Sequence, residues 1–331
     1  MKNKISLIII AGATIGIMGM SIPNATFENN KTIHSILGDL NKEQPNHIVM
    51  DPNPNLVSKG KELVTQGFTT SPEGNKSKRI SIFFSCTDCH NLVREDPDLT
   101  NPNPIDRLAY ADKNKLPFLQ GTTLYGVTNR TSWYNGDYVK KYGKRAVKSN
   151  TDLKEAIQLC AEICSQGRPL EEWEVNSLLH YFSANSITWG DIKNNPAIEQ
   201  SNYGDELSIA IQNSYSKISS ATFPKMPGRL DLGYDFEGNP LNGEKIYKLS
   251  CRTCHDKDGP STVELDYSKS NFRDFNKNYL SKGNSNLYKI VTSGTYPELG
   301  HKPYMPLFPE ERLNKQQVED LKAYFIQEAN R

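Results

Sequence analysis

Two stretches of this chain carry the same alternation of apolar and polar positions. Val175 to Phe182 reads VNSLLHYF and Val318 to Phe325 reads VEDLKAYF, both V-x-x-L-x-x-Y-F. Val175, Leu178 and Phe182 share one helical face, as do Val318, Leu321 and Phe325. Such spacing is common among amphipathic helices, and its weight here comes from position: each stretch closes one half of the chain. A second matched pair opens the halves, GKELV at Gly60 and GEKIY at Gly243. Repetition of this kind predicts an internal repeat. The expected fold class is mainly α, with two tandem helical domains at 50–200 and 229–331 and a linker at 201–228. Ser208 to Ile218 is the one helix expected in that connection, and Pro224, Pro227 and Gly228 mark the rest as linker.

The stretch TDLKEAIQLCAEICSQG reads as a further helix, with Thr151 or Asp152 as cap and Gly167 as stop. Leu153, Ile157, Cys160 and Cys164 fall along one face, which should point inward. At the N-terminus, Lys2 and Lys4 precede a run from Ile5 to Ile22 that is apolar apart from Ser6, Thr14 and Ser21. That is the pattern of an export signal over residues 1–25. Retained rather than cleaved, it would be the only membrane attachment. Either way the body of the protein is expected outside the cytoplasm, in the periplasm. Phe27 to Asn55 reads as an irregular lead-in. The 331 residues suffice for two domains with cores of their own. A formal net charge of +1 argues against a nucleic-acid partner.

Two motifs carry the chemistry. CTDCH runs from Cys86 to His90, and CRTCH from Cys251 to His255. C-x-x-C-H is the pattern of covalent haem c attachment. Two thiols must reach the two vinyl groups on one porphyrin edge, and the next residue must bring an imidazole nitrogen to the iron. A helical turn puts Cys86, Cys89 and His90 on one side, and likewise Cys251, Cys254 and His255. A zinc site would hold its Cys pairs closer together in the chain, and a thioredoxin-like pair needs a βαβ context that is not apparent. The expected cofactors are two covalently attached haem c groups, one per half. A helix, a haem motif, loops and a closing helix resemble the cytochrome c layout. The halves differ in one respect: TTSPEGNKSKRISIFF separates helix from motif in the first.

The second axial position of each iron sets potential and reactivity. After His255 the sole methionine is Met305, in KPYMPLF. It is the expected ligand of the second haem, with His301 the alternative. The first half has no methionine between its motif and the linker. His180, Cys160, Cys164, a lysine or an open site remain, and His180 lies in the closing helix, where a structural role is expected. Cys160 and Cys164, four residues apart on a helix, are also close enough for a disulfide.

The first half resembles the catalytic haem domain of diheme thiosulfate dehydrogenases and the related haem subunit of the sulfur-oxidising multienzyme system. The resemblance rests on CTDCHN, on LYGVTNRTSWY with Gly126, Val127, Arg130 and Tyr134, on LKEAIQLCAEICSQGRPL with Ile157, Cys160, Gly167, Arg168 and Leu170, and on VNSLLHYF. It implies that Cys160 is the distal thiolate ligand of the first haem, which would be the active site, and that the second haem passes electrons to a redox partner protein, another cytochrome or a terminal oxidase. It implies an oxidoreductase acting on a small sulfur anion such as thiosulfate, held by cations; Arg130, Arg168, Lys144 and Arg145 are the candidates. The family has arginine and serine where this chain has Ile163 and Cys164, which weakens the case for thiosulfate. The alternative is an electron carrier with no substrate of its own.

Overall fold

Four helices start on an Asn-Pro pair, at Asn53–Pro54, Asn103–Pro104, Asn195–Pro196 and Asn239–Pro240. In each, the asparagine side chain accepts one or two of the first free backbone N–H groups, and the proline supplies a helical φ where no donor is needed. The Asn- and Pro-rich composition, which alone suggests a loop-rich chain, is thus partly helix punctuation.

The computed structural model describes residues 27–261, 263–280, 286–295 and 303–331. The predicted signal segment and His301 lie outside the described residues. The principal helices are α1 (Ile33–Asp39), α2 (Pro54–Gln66), α3 (Pro104–Asn114), α4 (Tyr138–Tyr142), α5 (Lys144–Thr151), α6 (Leu153–Leu159), α7 (Glu172–Ala184), α8 (Asp205–Gln212), α9 (Pro240–Ile246), α10 (Leu287–Ser293) and α11 (Lys315–Asn330). The described residues hold isolated bridges and no strand. The protein is mainly helical, and none of its described helices is long and apolar enough to cross a membrane.

The two matched pairs of the sequence meet as two helix crossings of the same register. Gly60 of α2 lies against the backbone of Ser177 and the Cβ of Tyr181 in α7; Gly243 of α9 lies against the backbone of Asp320 and the Cβ of Tyr324 in α11. A Cβ at either glycine would come within 2.2 Å or 2.0 Å of the facing carbonyl oxygen, so only glycine permits the approach. Around the first crossing Leu63, Val64, Val175, Leu178 and Phe182 form one core. Around the second, Ile246, Tyr247, Val318, Leu321 and Phe325 form another.

Three features depart from the sequence reading. The lead-in contains α1, whose Ile33, Ile36, Leu37 and Leu40 pack with Trp189, Ile192, Leu207 and Ile211 in a third core. Their i, i+3, i+4, i+7 spacing is that of an amphipathic helix, and it is obscured by the polar residues on either side. The helix expected at Ser208 to Ile218 runs instead from Asp205 to Gln212, inside this core. And α3, which follows the first motif in the chain, packs in the second core: Leu108, Ala111 and Phe118 are buried there, and Phe118 N–H donates to Leu249 O at 2.7 Å.

His34 on α1 is 4% exposed, with Nε2 3.2 Å from Thr128 Oγ1 and 2.9 Å from Asn129 Nδ2. Burial, with the neighbouring His47, lowers its pKa to about 4 from 6.5. The unfolded chain therefore binds the extra proton first. Stability is full above pH 6.5 and falls as pH drops toward 4, by on the order of 3 kcal/mol from this group. Urea unfolding across that window is expected to show the decline, and His34→Gln to flatten it. An unchanged slope in the variant would assign the loss to other groups.

Candidate functional site

Asp88 builds the first motif's turn. Its carboxylate accepts the N–H of Ser85 at 2.7 Å, and His90 N–H donates to Cys86 O at 3.0 Å. Cys86 and His90 are thereby held one helical turn apart. His90 Nδ1 lies 2.6 Å from Thr122 O. A carbonyl can only accept, so Nδ1 carries the proton and Nε2 keeps its lone pair. The second motif repeats this arrangement, with His255 Nδ1 2.8 Å from Val263 O. Fixing the tautomer through the remote ring nitrogen is what a metal-ligating histidine needs. Glycines make room in both places. A Cβ on Gly121 would stand 2.5 Å from the His90 ring, and one on Gly259 would stand 2.2 Å from Cys254 O.

Cys86, Cys89 and His90 line a large, mostly apolar cavity. Leu153, Ala156 and Ile157 of α6 line it too, followed by Cys160, Ala161 and Cys164. Asp152 caps α6 as expected, accepting from Lys154 and Glu155 N–H. The last turn then widens to a π turn over Cys160–Cys164, closed by Ser165 N–H to Cys160 O at 2.8 Å. Both cysteines are unbridged, and their thiols are electrostatically coupled neighbours. The hydroxyls of Tyr134 and Tyr142 lie 3.5 Å and 3.6 Å from Cys164 Sγ. The neighbouring Cys160 thiol and these hydroxyls pull the Cys164 thiol down despite burial, while Cys160 is pushed up. The pair thus holds one negative charge more readily than two, placed on Cys164.

The cavity's aromatic wall was not foreseen. Tyr138 and Tyr142 of α4 follow Tyr134 at four-residue spacing, and that spacing was the available signal. Tyr134 adopts a left-handed backbone (φ 50), uncommon for an aromatic residue and often found at functional sites. Tyr304 reaches in from the second half, edge-on to Phe84 at 6.1 Å between centroids. Lys141 also lines the cavity.

Of the candidate cations, Arg130 lines this cavity and the polar one beside it, with Nη2 donating to Thr123 O at 3.0 Å. Arg168, also expected there, is not among the cavity's lining residues. Its guanidinium grips the fully buried Glu174 at 2.6 Å and 2.7 Å and donates to Lys78 O and Arg79 O, so it fastens the 78–80 loop to α7. Lys144 and Arg145 are exposed, and Arg145 pairs with Glu162 at 2.7 Å. His180 accepts the Asn53 N–H at 3.0 Å, outside the cavity.

In the second half Cys251 and Met305 pack against the core. Met305 is pinned through its backbone, its N–H donating to Thr295 Oγ1 at 2.7 Å and its O accepting Thr295 N–H at 2.8 Å. The two motifs come close: Cys254 Sγ is 3.8 Å from Asp88 O.

Behind the first motif sits a buried charge cluster. Glu95, Arg107 and Arg312 are 1%, 1% and 4% exposed. Arg312 pairs with Glu95 at 2.7 Å and donates to Gly121 O at 2.8 Å. Arg107 donates to Leu119 O and to Arg312 O, and lies 4.0 Å from Glu95. Burial alone would raise the Glu95 carboxyl, yet the two guanidinium groups outweigh it and hold the carboxyl below the usual range.

Residues 238–325 match the family described as cytochrome C oxidase, cbb3-type, subunit III. No curated protein matches the chain. The protein therefore carries a cytochrome c domain, and with it covalent haem binding, electron transfer and a redox partner.

Proposed function

We propose, from a cytochrome c domain at 238–325, that the chain is an exported diheme electron-transfer protein with a first haem in the cavity of Cys86, Cys89 and His90. One observation carries the reading. Both C-x-x-C-H histidines give Nδ1–H to a backbone carbonyl and keep Nε2 for a metal, although only the second half matches the family. The apolar lining of the first cavity suits a porphyrin, and its glycine at 121 leaves the imidazole room. The matched crossings at Gly60 and Gly243 support a first half built like the second.

Bound haem supplies one-electron redox chemistry and an axial position whose ligand tunes it. Met305 would fill that position in the second half. In the first, Cys160 lines the same cavity as His90 and would serve as thiolate; coordination would deprotonate it and override its partnership with Cys164. Lys141 and Arg130 are the cavity's cations and suit a small sulfur anion; the tyrosine rings exclude water around it. The preferred function is oxidation of a sulfur compound, thiosulfate-like, at the first haem, with electrons leaving through the second. The engagement of Arg168 by Glu174 and the Ile163 substitution favour the rival reading of an electron carrier without a substrate.

The test is to mix oxidised holoprotein with thiosulfate under argon and follow the haem α-bands, with Cys160→Ala alongside. Reduction in the parent and none in the variant is the expected result. If neither is reduced while dithionite reduces both haems, thiosulfate oxidation is excluded and electron carriage takes its place.

A further inference from the structure

We propose that Cys160 and Cys164 form a redox-active dithiol in the first haem cavity, closing to a disulfide as two electrons pass to the two haem irons. The proposal rests on the reading that both motifs carry haem. With Cys160 as thiolate and Cys164 as thiol, one S–H bond breaks, the Cys160 sulfur gives up its place as ligand, and one S–S bond forms. One proton leaves Cys164, and the two electrons would go one to each ferric haem. The reverse reopens the pair. A single cysteine suffices as an axial thiolate, so the second sulfur needs its own explanation.

The geometry supplies it. The thiols are free and line the same cavity as Cys86, Cys89 and His90. They sit at the two ends of a π turn, a form that marks functional sites more often than chance. Residues four apart on a helix are about 6 Å apart at Cα, within the disulfide range, and a small shift of the turn brings the Cβ atoms to the about 3.5–4.5 Å that a disulfide needs. A bond that closes only with a shift of the backbone is the more readily reduced kind, suited to cycling rather than to stapling a fold. The turn can shift at low cost because it is the last of its helix. Ser165 follows, then Gln166 in a left-handed conformation (φ 56) and Gly167. Around the sulfurs stand Tyr134, Tyr138, Tyr142 and Tyr304, which screen the pair from bulky oxidants and leave the haem as its electron partner. While the disulfide is closed neither sulfur is a thiolate, so the same event would empty the axial position assigned to Cys160.

The experiment is an anaerobic titration of fully reduced holoprotein with ferricyanide, with haem content measured beforehand as the pyridine haemochrome. Ferrous haem is read at the α-band, and thiols by alkylation and mass spectrometry. In the parent, the first two equivalents are expected to be consumed while the α-band holds, leaving Cys160 and Cys164 closed to alkylation; two more then bleach the haems. In Cys160→Ser and in Cys164→Ser, bleaching should begin at once and end after two equivalents. A parent that bleaches from the first addition, finishes at two equivalents and keeps both cysteines alkylatable overturns the dithiol while leaving the haem reading intact. Fewer than two haems per chain overturns the haem reading, and the dithiol proposal with it.

Discussion

Glu95→Gln is expected to cost the protein about 3–5 kcal/mol, the largest effect of any single neutral substitution suggested by this structure. The side chain keeps its shape and loses its charge. Arg107 and Arg312 then remain buried, at 1% and 4% exposure, without the carboxylate that compensates them. A buried ion pair contributes little over an apolar replacement of the whole cluster, but a buried cation stripped of its partner is costly. Chemical denaturation followed by circular dichroism measures the loss. Removing Arg312 as well, as Met, should cost less than the two single changes summed, because the second change deletes the charge left stranded by the first. The same carboxylate gives a pH signature. Its pKa is held below the usual range, so its contribution is complete above the ordinary glutamate value and disappears as pH falls through the lowered one. A Glu95→Gln protein within about 0.5 kcal/mol of the parent would show that the cluster is neutralised by other groups.

Gly60→Ala and Gly243→Ala are each expected to lower stability by about 2 kcal/mol or more, although alanine is the better helix former by about 1 kcal/mol. The sign decides the matter. Helix propensity alone predicts a higher Tm. The crossing predicts a lower one, because the new Cβ would meet Ser177 O at 2.2 Å or Asp320 O at 2.0 Å, backbone atoms that move only if the helices part. Calorimetry of the two variants suffices, and a raised Tm in either shows that its helix pair crosses farther apart.

Much of this arrangement was legible in the chain. The V-x-x-L-x-x-Y-F pair and the two glycines stated the crossings, because close approach of helices requires a missing side chain at a fixed place. The spacing of Leu153, Ile157, Cys160 and Cys164 stated which face lines the cavity. What it could not state is where a polar side chain finds its partner. Arg168 looked like a free cation beside a cysteine, and its capture by Glu174 depends on the start of α7 folding back onto the loop at Lys78. Lys141 was not among the candidate cations, yet it lines the cavity with the tyrosines around it. Tyr304 enters the first cavity from a segment assigned to the second half, and no local pattern announces a contact across so much chain. The π turn is likewise invisible, since α and π windings draw on the same residues.

Helix α3 bears on how such a molecule comes into being. A chain emerging N-terminus first presents Leu108, Ala111 and Phe118 long before the core that receives them has arrived, and until then these side chains have nowhere to hide from water. The N-terminal half thus waits, unfinished, for its sequel. That delay leaves the first Cys-x-x-Cys-His accessible in the meantime. The helix also ties the two cores together, because Leu108 and Ala111 lie in the second core although α3 follows the first motif in the chain.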